Sequence, residues 1–295
     1  MCELTFRIDT VWSFFCVLRA RCFLVLCGLM ALPGFADETM AQWTMGGRAI
    51  ALAKAHTALP SDSWAVFHNP AATEMGKATA GFFAIRYYGL RELEDHAVTL
   101  SIPLSRYLPE KRVSSAIAAG VHSYGFDLYR ESQARIGFAA AWERFRIGLV
   151  LNYVHVSIKG YGARGSPLFD AGMIANVTES FRIGWRISHL LYQIADRGET
   201  ELHPAEMSGG FSWNGISGLL ITADVVKDVL YPATLRAAAE AEVFPGVFLR
   251  GGWTSRPFTW SAGTGFHIAR FRSNLAVQKH EVLGLSPGLD FIIIM

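Results

Sequence analysis

Cysteine is confined to the first 27 residues of this 295-residue chain, at Cys2, Cys16, Cys22 and Cys27. Beyond that point no disulfide framework, thiolate metal site or cysteine nucleophile can be built. Charge is scarce, at 18%, and balanced, with 27 basic against 25 acidic side chains. Such a balance gives no electrostatic footprint for nucleic acid. Half of the residues are hydrophobic (51%), yet no run of 18 uninterrupted apolar residues occurs. That excludes a bundle of membrane-spanning helices. Low charge with 13% aromatics also excludes a disordered chain. No phosphate-binding glycine loop is present.

The N-terminal stretch reads as an export signal. Arg7, Arg19 and Arg21 make a basic region, residues 22–32 (CFLVLCGLMAL) a short apolar core, and Gly34-Phe35-Ala36 a small-residue cleavage site. Residues 1–36 are therefore expected to be removed. The alternatives are a retained membrane anchor or a lipoprotein at Cys27, the latter weakened by Leu26 where a small residue is wanted.

From about residue 78 the pattern alternates strictly. Phe181, Ile183, Trp185 and Ile187 share one face; Arg182, Gly184, Arg186 and Ser188 share the other. Phe145, Ile147, Leu149, Leu151 and Tyr153 alternate with Arg146, Gly148, Val150, Asn152 and Val154. Period two means two sides of a sheet. About fourteen such segments follow one another: 78–88, 94–104, 113–123, 131–143, 145–157, 167–178, 181–190, 206–213, 216–226, 234–243, 246–254, 258–269, 271–280 and 287–295. Most even-numbered connections are tiny (143–144, 179–180, 214–215, 245–246, 270). The odd-numbered ones are mostly longer (124–130, 159–166, 191–205, 227–233), with 105–112 as the exception among the even ones. Short turns at one end and longer loops at the other are the habit of barrels inserted from the periplasm.

The prediction is an all-β protein, a transmembrane antiparallel barrel of about 14 strands over residues 78–295. A spanning sheet must close on itself because lipid satisfies no backbone group. The alternative is a secreted soluble β protein. Residues 37–77 do not alternate; they contain small helix-like stretches and are expected to plug the bore, with a periplasmic arm as the alternative. Arg86, Arg146, Arg182, Arg186, Arg250 and Arg272 are assigned to the inner side. They make either a basic lumen for anionic head groups or, as the preferred reading, partners for carboxylates such as Asp62 and Asp224.

A family resemblance rests on two places. Met45-Gly46-Gly47-Arg48-Ala49, then Trp64 and Asn69-Pro70-Ala71, resembles the start of the FadL-like outer-membrane barrels, most of all the PorV/PorQ branch associated with type IX secretion. His280, Leu283-Gly284-Leu285-Ser286 and the terminal Leu289, Phe291 and Ile293 are similar to that group's end. Ala72 stands where glycine is usual, Pro287 where a polar residue is, and Met295 where an aromatic is. The resemblance implies a fourteen-stranded barrel with an N-terminal hatch in the outer membrane of a Gram-negative cell. Gly46, Gly47, Arg48, Trp64, Asn69 and Pro70 are its motif residues. It implies two roles. The first is a binding or scaffold component in protein export or surface attachment. The second is FadL-like passive transport of hydrophobic compounds. Expected partners are outer-membrane lipid, the barrel-assembly machinery, secretion-system components or exported proteins, and hydrophobic small molecules, with no nucleic acid. No cofactor, metal or catalytic role is expected. His96, His155 and His189 fall with the lipid-facing set, and His203 lies in the longest loop beside Glu201 and Glu206.

Overall fold

The computed structural model describes residues 44–104, 113–190, 205–228 and 231–295. The predicted export signal, residues 37–43 of the predicted plug, the 105–112 connection, Glu201 and His203 lie outside them.

Fourteen strands form one closed antiparallel barrel. They are β1 Thr79–Arg86, β2 Glu94–Pro103, β3 Val113–Gly125, β4 Tyr129–Trp142, β5 Phe145–Ile158, β6 Gly162–Asn176 and β7 Phe181–Ser188. The second half is β8 Glu206–Ile216, β9 Leu219–Asp228, β10 Thr234–Phe244, β11 Val247–Ser255, β12 Phe258–Ile268, β13 Phe271–His280 and β14 Gly284–Ile294. Each pairs with its neighbours in sequence. The seam is closed by β1 on β14, where Phe82 stands opposite both Val98 and Phe291. At the end of the seam the Met295 N–H donates to Ala78 O at 2.8 Å. Every backbone edge is thereby paired, as the interior of a bilayer demands.

Alternation sets the two faces. On β5 the odd residues Ile147, Leu149, Leu151 and Tyr153 are exposed on the outside, while Gly148, Val150, Asn152 and Val154 are buried inside. On β12 Trp260 and Phe266 face out and Thr259, Ser261 and Gly265 face in. An apolar outside and a polar inside is the reverse of a soluble barrel.

Two details depart from the sequence reading. Strands β3 to β6 run further than their hydrophobic alternation, leaving only residues 126–128 and 159–161 as connections. Those ends carry Gly, Ser, Arg and Tyr, so their pairing continues past the apolar band. The turn between β8 and β9 is 217–218 rather than 214–215.

Residues 44–77 lie inside the barrel against the inward faces of its strands. They comprise helix α1, Gly47–Ala51, and two 3-10 turns at Ala65–Phe67 and Pro70–Ala72. Met45, Ile50, Trp64, Val66 and Phe67 pack with Phe83 and Ile85 of β1. Leu52, Ala55 and Leu59 pack on Leu220 and Ala238, and Ala71 and Ala72 on Ile174. The apolar side of the plug is thus shared between opposite walls, which holds it central.

Candidate functional site

The Gly46-Gly47-Arg48 segment is an anchor. Gly46 has φ of 92°, a left-handed backbone value that suits glycine. A Cβ there would collide with the Trp64 ring. Arg48 grips Glu240 of β10 through Nε and Nη2, both at 2.8 Å. Glu240 Oε2 also accepts from Arg250 Nε at 2.5 Å. The chain continues from Arg250 Nη1 to Asn274 Oδ1 at 2.8 Å and from Asn274 Nδ2 to Asp290 Oδ1 at 2.6 Å. It returns when the Gly47 N–H donates to Asp290 Oδ2 at 2.7 Å. Adjacent plug residues therefore open and close one buried circuit through β10, β11, β13 and β14. Burial opposes the Arg48 charge, but Glu240 outweighs it and holds the guanidinium's pKa above its ordinary value.

Asn69 is the second anchor. Its Oδ1 caps the Pro70–Ala72 turn by accepting the Ala71 N–H at 3.1 Å. Its Nδ2 donates to Thr57 O at 2.6 Å and reaches Met173 O and Trp185 O at 3.4 and 3.3 Å. Pro70 supplies the fixed φ for the first position of the turn. Gly148 and Gly172 face this turn, and a side chain on either would strike Pro70 or Asn69. Inward glycine at successive strands is the sequence signal that marks where plug backbone touches wall.

Most plug carbonyls have no helical partner, so the wall supplies donors. Thr254 bonds Ala53 O at 3.1 Å, Ser212 bonds Ala58 O at 2.8 Å, and Thr99 bonds Ser63 O at 3.0 Å. Ser101 bonds Glu74 O at 3.0 Å.

The sequence-assigned arginines divide into groups. Arg146 points inward and donates to Thr73 O at 2.7 Å and to Pro60 O. It holds plug carbonyls, not the carboxylates anticipated. Arg250 belongs to the circuit. Arg186 is buried and lies 3.9 Å from Glu206. Arg182 and Arg272 have inward parity, and Arg182 donates to Asn214 Oδ1 at 3.2 Å beside the short turns. Arg86 corrects the sequence reading. It shares the outer face with Phe82, is 45% exposed, and pairs with Glu94. The reason is that β1 is apolar on both faces: Phe83 and Ile85 are taken by the plug, which sends Arg86 to the outside rim. The proposed acids are engaged otherwise too. Asp62 binds His68 Nδ1 at 2.9 Å and the Trp64 N–H at 3.0 Å. Asp224 accepts from Thr57 N and Oγ1 at 2.9 and 2.8 Å. Alternation could not single out Arg135 and Arg236, which are also buried inward. Arg135 joins Asp170 and Val66 O, and Arg236 joins Lys54 O.

At the centre of the plug His56 stacks on His68, centroids 4.1 Å apart. Burial, then His68, Arg186, Arg236 and Lys54, hold the His56 pKa well below the usual imidazole range. Burial and Arg236 pull Lys54 down to about 7, with Glu206 opposing.

Above the plug, at the end away from the short turns, the inner wall is aromatic and aliphatic. Tyr87, Tyr124 and Tyr129 follow one another with centroids 6.3 Å apart, and Tyr88 meets His280 at 6.0 Å. Val154, Val156 and Leu168 form a buried apolar cluster against which Tyr129 packs. Asp95 meets His122 at 3.1 Å and Asp170 meets Arg135 at 3.1 Å, while Glu131 accepts from Tyr129 OH at 3.3 Å and from Gln133 Nε2 at 2.9 Å. His96 and His155 lie on the outer face, as parity requires. His189 follows β7 and gives its N–H to Asp170 at 2.9 Å. Gly284–Gly288 spells G-x-S-x-G. It lies within β14, not on a strand-to-helix turn, and Ser286 Oγ accepts the Tyr88 N–H at 3.0 Å.

The fold of this fourteen-stranded barrel has counterparts among solved structures. The CymD monoaromatic hydrocarbon channel matches over 87% of this chain and 99% of its own, with 10% identity and a TM-score of 0.64. The Pseudomonas putida toluene transporter TodX matches over 86% and 99%, with 10% identity and a TM-score of 0.58. A Pseudomonas aeruginosa FadL homologue matches over 89% and 99%, with 13% identity and a TM-score of 0.52. The fold is the one these channels share. No known protein-family signature and no curated protein matches the chain.

Proposed function

We propose that the protein is an outer-membrane channel for passive transfer of neutral hydrophobic compounds. The observation that carries this is the inner wall above the plug. It joins Tyr87, Tyr124 and Tyr129 to Val154, Val156 and Leu168. Its acids are each held by hydrogen bonds, Asp95 by His122, Asp170 by Arg135 and Glu131 by Tyr129 and Gln133. Such a surface favours apolar solutes, since each buried CH₂ contributes about 0.8 kcal/mol. The plug beneath is hydrogen-bonded to the wall on many strands, which opposes a through-going aqueous pore. Likeness to channels named for hydrocarbon and toluene supports the same reading.

The role in protein export, drawn from the PorV/PorQ resemblance, ranks second. The motif residues on which it rested, Gly46, Gly47, Arg48, Trp64, Asn69 and Pro70, all serve plug attachment, which any corked barrel needs. The similar structures are channels.

The test is uptake of labelled toluene and of a labelled long-chain fatty acid by the host, with and without the gene. Slower toluene uptake at limiting concentration, restored by the wild type but not by Tyr124→Asp, supports the channel. Equal uptake overturns it. Recovery of exported proteins with the purified barrel would point to the export role instead.

A further inference from the structure

The lipid-facing wall has a recess. Outward residues of β2 to β5 fall in rows across the sheet. His96 stands opposite Ser123, Ser123 opposite Ser132, and Ser132 opposite His155. One step toward the short turns, the row reads Val98, Val121, Ala134 and Tyr153. Ser123, Ser132 and Ala134 are too small to fill the outer surface between their neighbours. They floor a cavity of about 410 Å³ walled by His96 and Val98 on one side and Tyr153 and His155 on the other.

Both walls are held in place. The His96 ring stacks on Phe82, centroids 6.4 Å apart and planes within 18°. Tyr153 lies across Gly165 of β6, where any Cβ would overlap its phenol. A glycine at that position therefore sets the pose of the tyrosine. Polarity grades along the recess. Past the His–Ser row, toward the longer connections, come Arg130 on β4, Ser157 on β5 and the Arg86–Glu94 pair, with Glu94 also 3.6 Å from His96. Toward the short turns come Leu100, Ile136 and Leu151, all exposed to lipid. An amphiphile oriented as in an outer leaflet meets donors at one end and hydrocarbon at the other.

We propose that this recess seats one outer-leaflet lipid with an anionic phosphomonoester head group. One acyl chain lies over Val98, Val121, Ala134 and Tyr153. The phosphate end is met by the Ser123, Ser132 and Tyr153 hydroxyls, His155 and Arg130. Two considerations favour lipid as occupant. The recess opens to the bilayer, and a void there forfeits dispersion contacts that a flexible chain restores. Arginine, imidazole and hydroxyl donors at the polar end complement a phosphate.

The experiment uses the purified barrel in nanodiscs of phosphatidylcholine with a small fraction of lipid A, and native mass spectrometry to count retained lipid A. Wild type is expected to hold one molecule. Ser132→Trp, which fills the recess, should lower retention at least tenfold. Arg130→Ala with His155→Ala should lower it several-fold. Leu149→Trp, elsewhere on the outer wall, should leave it unchanged. Heat-modifiable gel migration checks that each variant is folded. Retention by Ser132→Trp equal to wild type, or equal loss in Leu149→Trp, overturns the seat. So does slowed toluene uptake by Ser132→Trp with lipid retention unchanged, because the recess would then lie on the solute's route. Lipid retention and solute uptake are separate readouts, so either proposal can fail without the other.

Discussion

Asn69 offers a discriminating test of how the plug is held. Three substitutions separate its two jobs. Alanine removes both the cap on the Ala71 N–H and the donor to Thr57 O. The lost cap costs about 1 kcal/mol. A buried carbonyl left without its partner costs about 1–3 kcal/mol more. Asn69 is fully buried, so Asn69→Ala should destabilise the plug by roughly 2–4 kcal/mol. Aspartate is nearly isosteric and is as good a helix cap as asparagine. Its second oxygen, however, replaces an N–H that sits 2.6 Å from Thr57 O and also faces Met173 O and Trp185 O. A carboxylate among three carbonyls is repelled or must take up a proton. Asn69→Asp is therefore expected to be worse than Asn69→Ala, although it keeps the cap. Asn69→Ser, which keeps a short donor and acceptor, should fall nearest the wild type. Trypsin cleavage after Arg48 and Lys54 in folded barrels reads plug release, and Trp64 fluorescence in urea gives the midpoint. If Asn69→Asp matched the wild type, capping alone would account for the residue and the donor argument would fail.

Three further outcomes are expected. Glu240→Gln removes the charge shared by Arg48 and Arg250 and should lower stability by about 3–5 kcal/mol, as for a broken buried pair; adding Arg48→Met should recover part of that loss in the same urea assay. Arg146→Ala should expose the plug to trypsin, because it frees Pro60 O and Thr73 O, whereas Arg182→Ala, bonded beside the turn at Asn214, should not; equal exposure in both would contradict this division. Acid should loosen the plug. His56 is held neutral by burial and by His68, Arg186, Arg236 and Lys54. A released plug binds a proton below about pH 6.5 that the seated one refuses, so stability falls as pH drops through that value. Lys54, pulled to about 7, adds a second window: a released plug keeps its proton up to about 10.5, so stability rises with pH between the two values. Trypsin rates from pH 5 to 9 measure both windows, and His56→Gln should flatten the acidic one.

Much of the architecture was legible because lipid imposes one rule on every strand. Phe145 to Val154 and Phe258 to Ile268 have to alternate, whatever else they do, so strand number and face could be read along the chain. The GGR and NPA segments were also visible as unusual. Their partners were not. Arg48 meets Glu240 at a separation of 192 residues, and Gly47 meets Asp290 at 243. Nothing local in the sequence links such pairs; only closure of the sheet brings them round the bore. Arg86 shows the same limit from the other direction. Its strand is apolar on both faces, so the sequence put Arg86 inward, and the plug's claim on Phe83 and Ile85 put it outward. Alternation settles which residues share a side, since it depends on backbone geometry alone. Which side a plug or a lipid occupies, and whom each charge meets there, depends on contacts between distant segments and exists only once the barrel is shut.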